Sequence, residues 1–213
     1  MAKTLSQLQL ETRYRADIVN SQFVSDAELT TYINASLQEL YDLILDSNED
    51  YFTSSTNLTI VTGSSVPLTS SFRYARGVDY QDGSNWVRLD RFNWKERNDD
   101  NSWYRSSRRY RIVANTLSIV PTDNAAGTYR LWYIPEVTPL SAASDTAPLP
   151  DAWCQWVVVS AAIKCLAKEE SDTSQLQAEL ARLGESIRRS VVDRDRGEPD
   201  RIAMVWNSDG EAW

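Results

Sequence analysis

The sequence predicts an α+β fold: a bundle of about four helices with a small antiparallel β unit inserted between the second and third helices. Three observations carry this prediction. Apolar residues recur at helical spacing near both ends of the chain, the segment 152–163 is almost wholly apolar, and the intervening stretch is rich in Thr, Ser and β-prone runs. We therefore expect an N-terminal helical pair (1–52), a β insertion (53–134), a C-terminal helical pair that completes the bundle (135–199) and an extended C-terminal tail (200–213).

Two helices are predicted in the first fifty residues. The first runs from Thr4 to about Asn20, and its apolar side is formed by Leu5, Leu8, Ala16 and Val19. The second begins after Ser25, which fits a capping box with Glu28 because each side chain can satisfy a free amide at the helix end. It ends near Asp46, and its apolar stripe has spacings of three and four residues: Leu29, Ile33, Leu37, Leu40 and Ile44.

Strands are predicted where the helical pattern stops. A short β-prone run at Leu58–Val61 is followed by three or four further strands, drawn from Trp86–Phe92, Arg109–Ala114, Thr116–Val120 and Thr128–Ile134. Turn residues separate these runs, including Asn115, which marks a tight reversal. Trp132 lies within the last strand, and we expect its side chain to be part of the sheet core.

The segment 149–168 is predicted to be the central core helix. Pro150 and Asp151 suit its first turn, because proline needs no amide partner there and an acid faces the positive end of the helix dipole. Only two residues of 152–163 are polar, so nearly every face of the helix should be buried. The apolar run is too short to span a bilayer, which needs about 20 apolar residues.

A second long helix is predicted from about Thr173 to Arg194, before Gly197 and Pro199. Its apolar positions form nearly a heptad seam: Leu176, Leu180, Leu183, Ile187 and Val191. The tail beyond it also carries apolar groups, namely Ile202, Met204, Trp206 and Trp213. A solvent-exposed tail has no need of these groups. Either the tail adds a strand to a neighbouring subunit, or it folds back on its own domain.

Composition excludes several functions. The 22 basic and 30 acidic residues give a net charge of −8, which argues against a general nucleic-acid binder. The chain has no histidine and so lacks the commonest general base and transition-metal ligand. Cys154 and Cys165 are about 16 Å apart along one predicted helix, too far for a disulfide, and buried thiols suit a reducing cytoplasm.

One basic cluster stands out, at residues 103–111. Aromatic residues are interleaved with its cations, and the residues of interest are Trp103, Arg105, Arg108, Arg109 and Arg111. Such a segment can hold phosphate or a single strand. It can also pair with acidic surface on the next subunit, or form a solvated loop that enters an edge strand. We favour the last two interpretations over direct DNA contact.

No catalytic pattern is evident. The sequence contains no GxSxG, HExxH, P-loop or GxGxxG motif. A glycosidase pair such as Glu136 and Asp151 stays open, but nothing singles it out. Residues 193–197 depart from a calcium loop, because a glycine stands where the fifth-position ligand belongs. We expect no enzyme activity, no cofactor and no metal. The eight tryptophans leave a carbohydrate-binding module as an alternative.

The order of these elements resembles the head-to-tail adaptor proteins of tailed bacteriophages, also called gatekeeper or tail-tube A proteins. The residues that carry the likeness lie in the segments 23–29 (Phe-Val-Ser-Asp-Ala-Glu-Leu), 32–41 (Tyr-Ile-Asn-Ala-Ser-Leu-Gln-Glu-Leu-Tyr) and 148–153 (Pro-Leu-Pro-Asp-Ala-Trp), and in 164–170 (Lys-Cys-Leu-Ala-Lys-Glu-Glu). The likeness covers the ordering of most of the chain.

This resemblance implies a structural virion protein at the head–tail junction, made and assembled in the host cytoplasm. Such adaptors form a ring, usually of twelve copies, beneath the portal protein. They extend the DNA channel and dock the next tail or nozzle protein, while DNA passes without specific binding and no membrane is involved. The C-terminal segment 200–213 would then contact the portal or a neighbouring subunit, and the basic cluster would contact a neighbouring subunit or the tail of the phage. The first fifty residues have a net charge of −6, which suits a channel wall that lets DNA slide. Another neck or tail component, or a carbohydrate-binding virion module, is the alternative.

Overall fold

A computed structural model describes residues 2–19, 23–68, 72–97 and 108–192. Within these residues the chain forms four α-helices and two β-sheets, so the α+β class and the helix number are confirmed. The helices are α1 (Leu5–Arg15), α2 (Asp26–Ser47), α3 (Asp151–Lys168) and α4 (Ser174–Val192). In sequence, the strands come between α2 and α3.

Eight strands make up the β unit of the described chain. They are β1 (Ser54–Ile60), β2 (Ser65–Pro67), β3 (Phe72–Asp82), β4 (Asn85–Arg88), β5 (Asp90–Arg91), β6 (Arg109–Val113), β7 (Thr116–Val120) and β8 (Gly127–Pro135). The first sheet has the order β1-β8-β3-β4 and the second β2-β7-β6-β5. All pairings are antiparallel except that of β5 with β6, so the second sheet is mixed.

The two sheets bury their inner faces in one common core. Val78, Tyr129 and Leu131 from the first sheet share a cluster with Leu117 and Ile119 from the second. All five side chains are at most 1 % exposed. The β unit is thus a two-layer structure with an apolar core separate from that of the helices.

Two details of the β unit differ from the sequence prediction. The predicted strand Trp86–Phe92 is broken at Leu89, whose amide donates to the Val78 carbonyl at 2.9 Å and whose side chain is buried. The chain changes sheets at this point. The placement of Trp132 in the sheet core is wrong: its neighbours in sequence, Leu131 and Tyr133, face the core, and Trp132 lies on the opposite face.

The central position of α3 is confirmed. It packs against α1, α2 and α4, and Cys154, Val157 and Ala161 are 0 % exposed. Both cysteines are free, and burial raises the pKa of the Cys165 thiol to about 11. The two thiols therefore serve as small apolar core groups.

The first helix is shorter than predicted. After Arg15 the chain turns at Asp17, which has a left-handed φ of 56°. Ala16 and Ile18 are buried on either side of this turn, whereas Val19 is 43 % exposed. Ala16 and Ile18 are therefore buried by the turn at Asp17, and the helix does not continue through them.

A buried polar network joins α2 to α3. The Ser36 hydroxyl donates to Ser160 Oγ at 2.9 Å, and Ser160 in turn donates to Glu39 at 3.1 Å. Lys164 Nζ donates to all three side chains at 2.9–3.0 Å. Ser36 and Ser160 are at most 3 % exposed, so this network fixes the relative position of the two helices.

The β unit is joined to the end of the bundle where α2 finishes. Tyr41, Leu45 and Ile134 form a small apolar cluster, and the Tyr41 hydroxyl donates to the Pro135 carbonyl at 2.7 Å. Burial raises the pKa of Tyr41 to about 12. Arg76 on β3 also bonds to two acids after α2, Glu49 at 2.7 Å and Asp50 at 2.6 Å. Apolar contact and ion pairs together position the β unit.

The segment between β8 and α3 is tied to the bundle. The Asn34 side chain both donates to the Leu140 carbonyl and accepts from the Leu140 amide, each at 2.9 Å. The Leu5 amide bonds to the Asp145 carbonyl at 2.8 Å, and Thr4 caps α1 with a capping box to Gln7. This connection therefore holds α1 and α2 together.

Candidate interaction surfaces

The predicted basic cluster is only partly described: Trp103 and Arg105 lie outside the described residues. Arg108 precedes β6 and stacks over the Tyr80 ring, with its Cζ 3.7 Å from the ring centroid, while its guanidinium donates to Asn124. Arg109 pairs with Glu96 at 2.7 Å. Each of these arginines has a partner inside its own chain.

Arg111 belongs to a second aromatic and basic group, built on the short 3-10 turn Trp94–Glu96. Its guanidinium donates to the Phe92 carbonyl at 3.1 Å and lies 5.9 Å from the Trp94 ring centroid. Arg97 lies 5.3 Å from the same centroid, and the Trp94 side chain is 50 % exposed. With the exposed Lys95, these residues form a surface that we call the Trp94 platform (Trp94, Lys95, Arg97 and Arg111).

The charges of the platform are not balanced by carboxylates within the described chain. Arg97 and Arg111 both donate to backbone carbonyls, Arg97 to that of Trp94 at 3.1 Å. The one acid of the turn, Glu96, is occupied by Arg109, and its pKa is lowered, first by the Asn93 amide. The platform therefore presents net positive charge around an exposed indole ring.

Sequence analysis identified Arg111 but missed Lys95 and Arg97. The signal was present, because Trp94-Lys95-Glu96-Arg97 combines an aromatic residue with two cations as the 103–111 cluster does. These residues follow the predicted strand Trp86–Phe92, and the sequence pattern alone assigns them no interaction. The pairing of β5 with β6, distant in sequence, brings this turn to Arg111.

Charge is segregated between the two parts of the chain. Residues 53–134 contain eleven basic and seven acidic residues, a net charge of +4. The rest of the chain contains eleven basic and twenty-three acidic residues, a net charge of −12. The overall −8 thus conceals a basic β unit joined to acidic helical and tail segments.

Many acids of the first fifty residues are paired. Glu28 accepts from Lys168 at 2.7 Å, and this bond lowers the Glu28 pKa. Glu39 pairs with Lys164 at 2.9 Å. Asp26 pairs with Arg13, Glu11 with Lys3, and Asp42, Glu49 and Asp50 with arginines of β3. The net charge of −6 for this segment therefore overstates its local field.

The predicted contact residues of the tail, Ile202, Met204, Trp206 and Trp213, lie outside the described residues. The last described residue before them is Val192, which ends α4 and is 62 % exposed. Val192 shares a surface groove with residues 45–49 at the C-terminal end of α2. Helix α4 therefore ends at the end of the bundle that carries the β unit.

A tryptophan pair lies on the outer face of the first sheet. The Arg130 guanidinium covers one face of Trp86, with its Cζ 3.8 Å from the ring centroid. The Trp132 indole donates to Asp79 at 2.6 Å. Sugar stacking needs free ring faces, and Arg130 already occupies one of them.

The two acids considered for glycosidase chemistry, Glu136 and Asp151, lie in different structural environments. Glu136 is exposed and lines a cleft of about 650 Å³ beside α2. Asp151 lies in the first turn of α3, 3.9 Å from Lys3 Nζ. Among the described residues, no group of three or more His, Cys, Asp or Glu side chains could hold a metal ion.

The fold and these surfaces define a class of protein: an α+β protein whose distinctive features are exposed charged and aromatic faces. The family model of the SU10 adaptor protein matches residues 3–203, and the chain belongs to this family of phage head-to-tail adaptors. The predicted resemblance is thereby confirmed, as is a structural adaptor role in a bacteriophage. A search of curated proteins gave no match. In the described chain, none of the helices has the length and apolar character needed to cross a bilayer.

Proposed function

We propose that this adaptor forms a ring, of twelve copies in the virion, beneath the portal protein at the head–tail junction. The ring extends the DNA channel and docks the next tail or nozzle protein. Assembly takes place in the host cytoplasm before DNA passes through the channel. The observation that carries this proposal is the family match across residues 3–203.

Two features of the chain support a role in assembly. The basic β unit and the acidic remainder give each copy complementary surfaces, and heterologous contacts between such surfaces close into rings when the rotation allows. The chain also has a net charge of −8, which disfavours tight binding to passing DNA. We place no sequence-specific DNA contact on this protein.

The contacts are proposed to come from the tail and from the basic cluster. The tail residues Ile202, Met204, Trp206 and Trp213 meet the portal or a neighbouring subunit. The residues of the basic cluster contact the next subunit or the tail of the phage. These residues are Trp103, Arg105, Arg108, Arg109 and Arg111. The four-part division at residues 52, 134 and 199 belongs to this proposal, with the tail as a separate contact element.

Removing the tail tests this assignment. A chain that ends at Asp200 is expected to keep the far-ultraviolet circular dichroism and cooperative unfolding of the intact chain, because the four helices and eight strands lie before that residue. It is expected not to co-sediment with portal rings from the same phage. A truncated chain that joins portal rings as the intact chain does would contradict the role of the tail. A quadruple variant with alanine at Ile202, Met204, Trp206 and Trp213 separates side-chain contacts from chain length.

A carbohydrate-binding virion module is the second candidate, because Trp86 and Trp132 lie on one sheet face, although Arg130 covers one face of the Trp86 ring. The adaptor function predicts that substituting Trp86 with alanine leaves portal binding unchanged. Retention of the protein on a glycan array, lost in the same variant, would favour the carbohydrate function instead.

A further inference from the structure

We propose that the tail (200–213) of one copy docks on the Trp94 platform of a neighbouring copy. This inference rests on the ring of the proposed function, which supplies the neighbour. The partner of the platform is thus an acidic, aromatic segment of a second copy of the same protein.

The platform has the chemistry that such a segment needs. Trp94 offers an exposed ring, and Lys95, Arg97 and Arg111 surround it with positive charge. The carbonyl bonds of Arg97 and Arg111 hold both guanidinium groups in place without neutralising them. Preoriented cations beside an aromatic ring lose little side-chain entropy when a carboxylate binds.

The tail is complementary to this surface. Residues 202–213 contain two acids, Asp209 and Glu211, and no cation. Trp206 and Trp213 lie on either side of the acids in sequence, so carboxylates and indole rings alternate over a short distance. Asp209 and Glu211 pair with the platform cations, and a tail indole packs against Trp94.

The last described residue before the tail, Val192, lies within reach of a neighbouring copy. Val192 lies beside residues 45–49, and Glu49 is bonded to Arg76 of the β unit. An extended chain spans about 3.3–3.6 Å per residue, so the fourteen residues from Val192 to Trp206 can reach about 45–50 Å. This reach exceeds the length of α4, which is about 28 Å for nineteen residues. It allows contact with an adjacent copy.

Photo-crosslinking of the full chain tests the inference. Benzoylphenylalanine replaces Trp206, and isotopically heavy and light proteins are mixed in equal amounts before illumination, both alone and on portal rings. Mass spectrometry is expected to find heavy–light crosslinks to peptides that contain residues 94–97 or 109–113. Crosslinks confined to one copy, crosslinks to other surfaces, or none at all would overturn the inference.

Charge reversal provides the matched controls. The double change Lys95→Glu and Arg97→Glu is expected to lower the heavy–light yield at least about tenfold, the effect of roughly 1.4 kcal/mol. Adding Asp209→Lys and Glu211→Lys to that chain should restore at least half of the yield. The control Arg88→Glu with Arg188→Glu changes two other exposed cations and should leave the yield unchanged. Equal losses in both double variants would contradict a specific site.

The same variants separate this inference from the proposed function. If the protein still forms stoichiometric complexes with portal rings but gives no crosslink at the platform, the tail docks elsewhere and the adaptor function stands. If portal association itself fails for the intact chain, the ring of the proposed function is wrong.

Discussion

Gly127, at the beginning of β8, shows how one residue constrains the β unit. Its φ is +150°, and a Cβ built there would lie 2.6 Å from Tyr80 Cε2. Tyr80 has little room to move, because its ring contacts Tyr129, with centroids 5.4 Å apart, and lies under the Arg108 guanidinium. The glycine is therefore required by a close approach of side chain to backbone.

The substitution Gly127→Ala is expected to lower the free energy of unfolding by about 1–3 kcal/mol, because the ring must shift within a packed cluster. Chemical denaturation measures this loss. The control Gly77→Ala, on β3 of the same sheet, has no atom within 4 Å of its added Cβ and should be neutral or slightly stabilising. Similar losses in both variants would contradict the steric explanation.

Residue-level prediction from the sequence was uneven for the candidate surfaces. The 103–111 cluster was recognised from composition, yet Arg108 and Arg109 are engaged by Tyr80, Asn124 and Glu96. The platform cations Lys95 and Arg97 were missed. Composition reports which side chains are present, whereas availability depends on contacts between residues far apart in sequence.

Helices α2, α3 and α4 were predictable because each carries a strong local signal. Ser25 accepts from the Glu28 amide, which is the serine half of the predicted capping box, and the apolar stripe of α2 is buried. Strand β3 was not predicted, because Phe72–Asp82 mixes charged, aromatic and glycine residues without alternation. Its register shifts twice against β8, near Phe72–Tyr74 and Ala75–Gly77, which explains the missing period of two.

The polar network between α2 and α3 predicts coupled effects of substitution. Ser36→Ala and Ser160→Ala should each destabilise the protein by about 1–3 kcal/mol, because each leaves buried polar partners less satisfied. The double variant should lose less free energy of unfolding than the two single variants together, with a coupling energy of at least about 0.5 kcal/mol. A double-mutant cycle by denaturation measures this, with the exposed Ser186→Ala as a neutral control. Strict additivity would contradict a shared network.

The ion pair of Glu28 with Lys168 predicts that the free energy of unfolding depends on pH in the acidic range. The Glu28 pKa is lowered, first by Lys168 and then by Tyr32. Its ionised form therefore stabilises the fold above the ordinary value of 4.5, and this contribution is lost as the pH falls through the lowered pKa. The difference in unfolding free energy between the natural chain and Glu28→Gln should be largest near neutral pH and shrink below pH 4.5. A difference that does not change with pH would contradict this assignment.

For the whole molecule, the decisive feature is the uneven distribution of charge. The β unit has a net charge of +4 and the remainder −12. Because Arg73 and Arg76 of the β unit already pair with acids of the helical part, attraction between copies must come from the other cations. The same charge counts follow from the sequence once the β unit is placed at residues 53–134. The fold class and the family were predictable from element order, whereas the two-sheet architecture was not, because pairings such as β1 with β8 join distant segments.

We propose that this adaptor assembles as a ring on the portal. The most direct measurement is electron cryo-microscopy of the purified protein mixed with portal rings from the same phage. We predict a stoichiometric ring-on-ring complex in which the β unit of one copy contacts its neighbour and the DNA channel continues through the adaptor. Intact portal rings that remain bare in the presence of excess protein would contradict the claim.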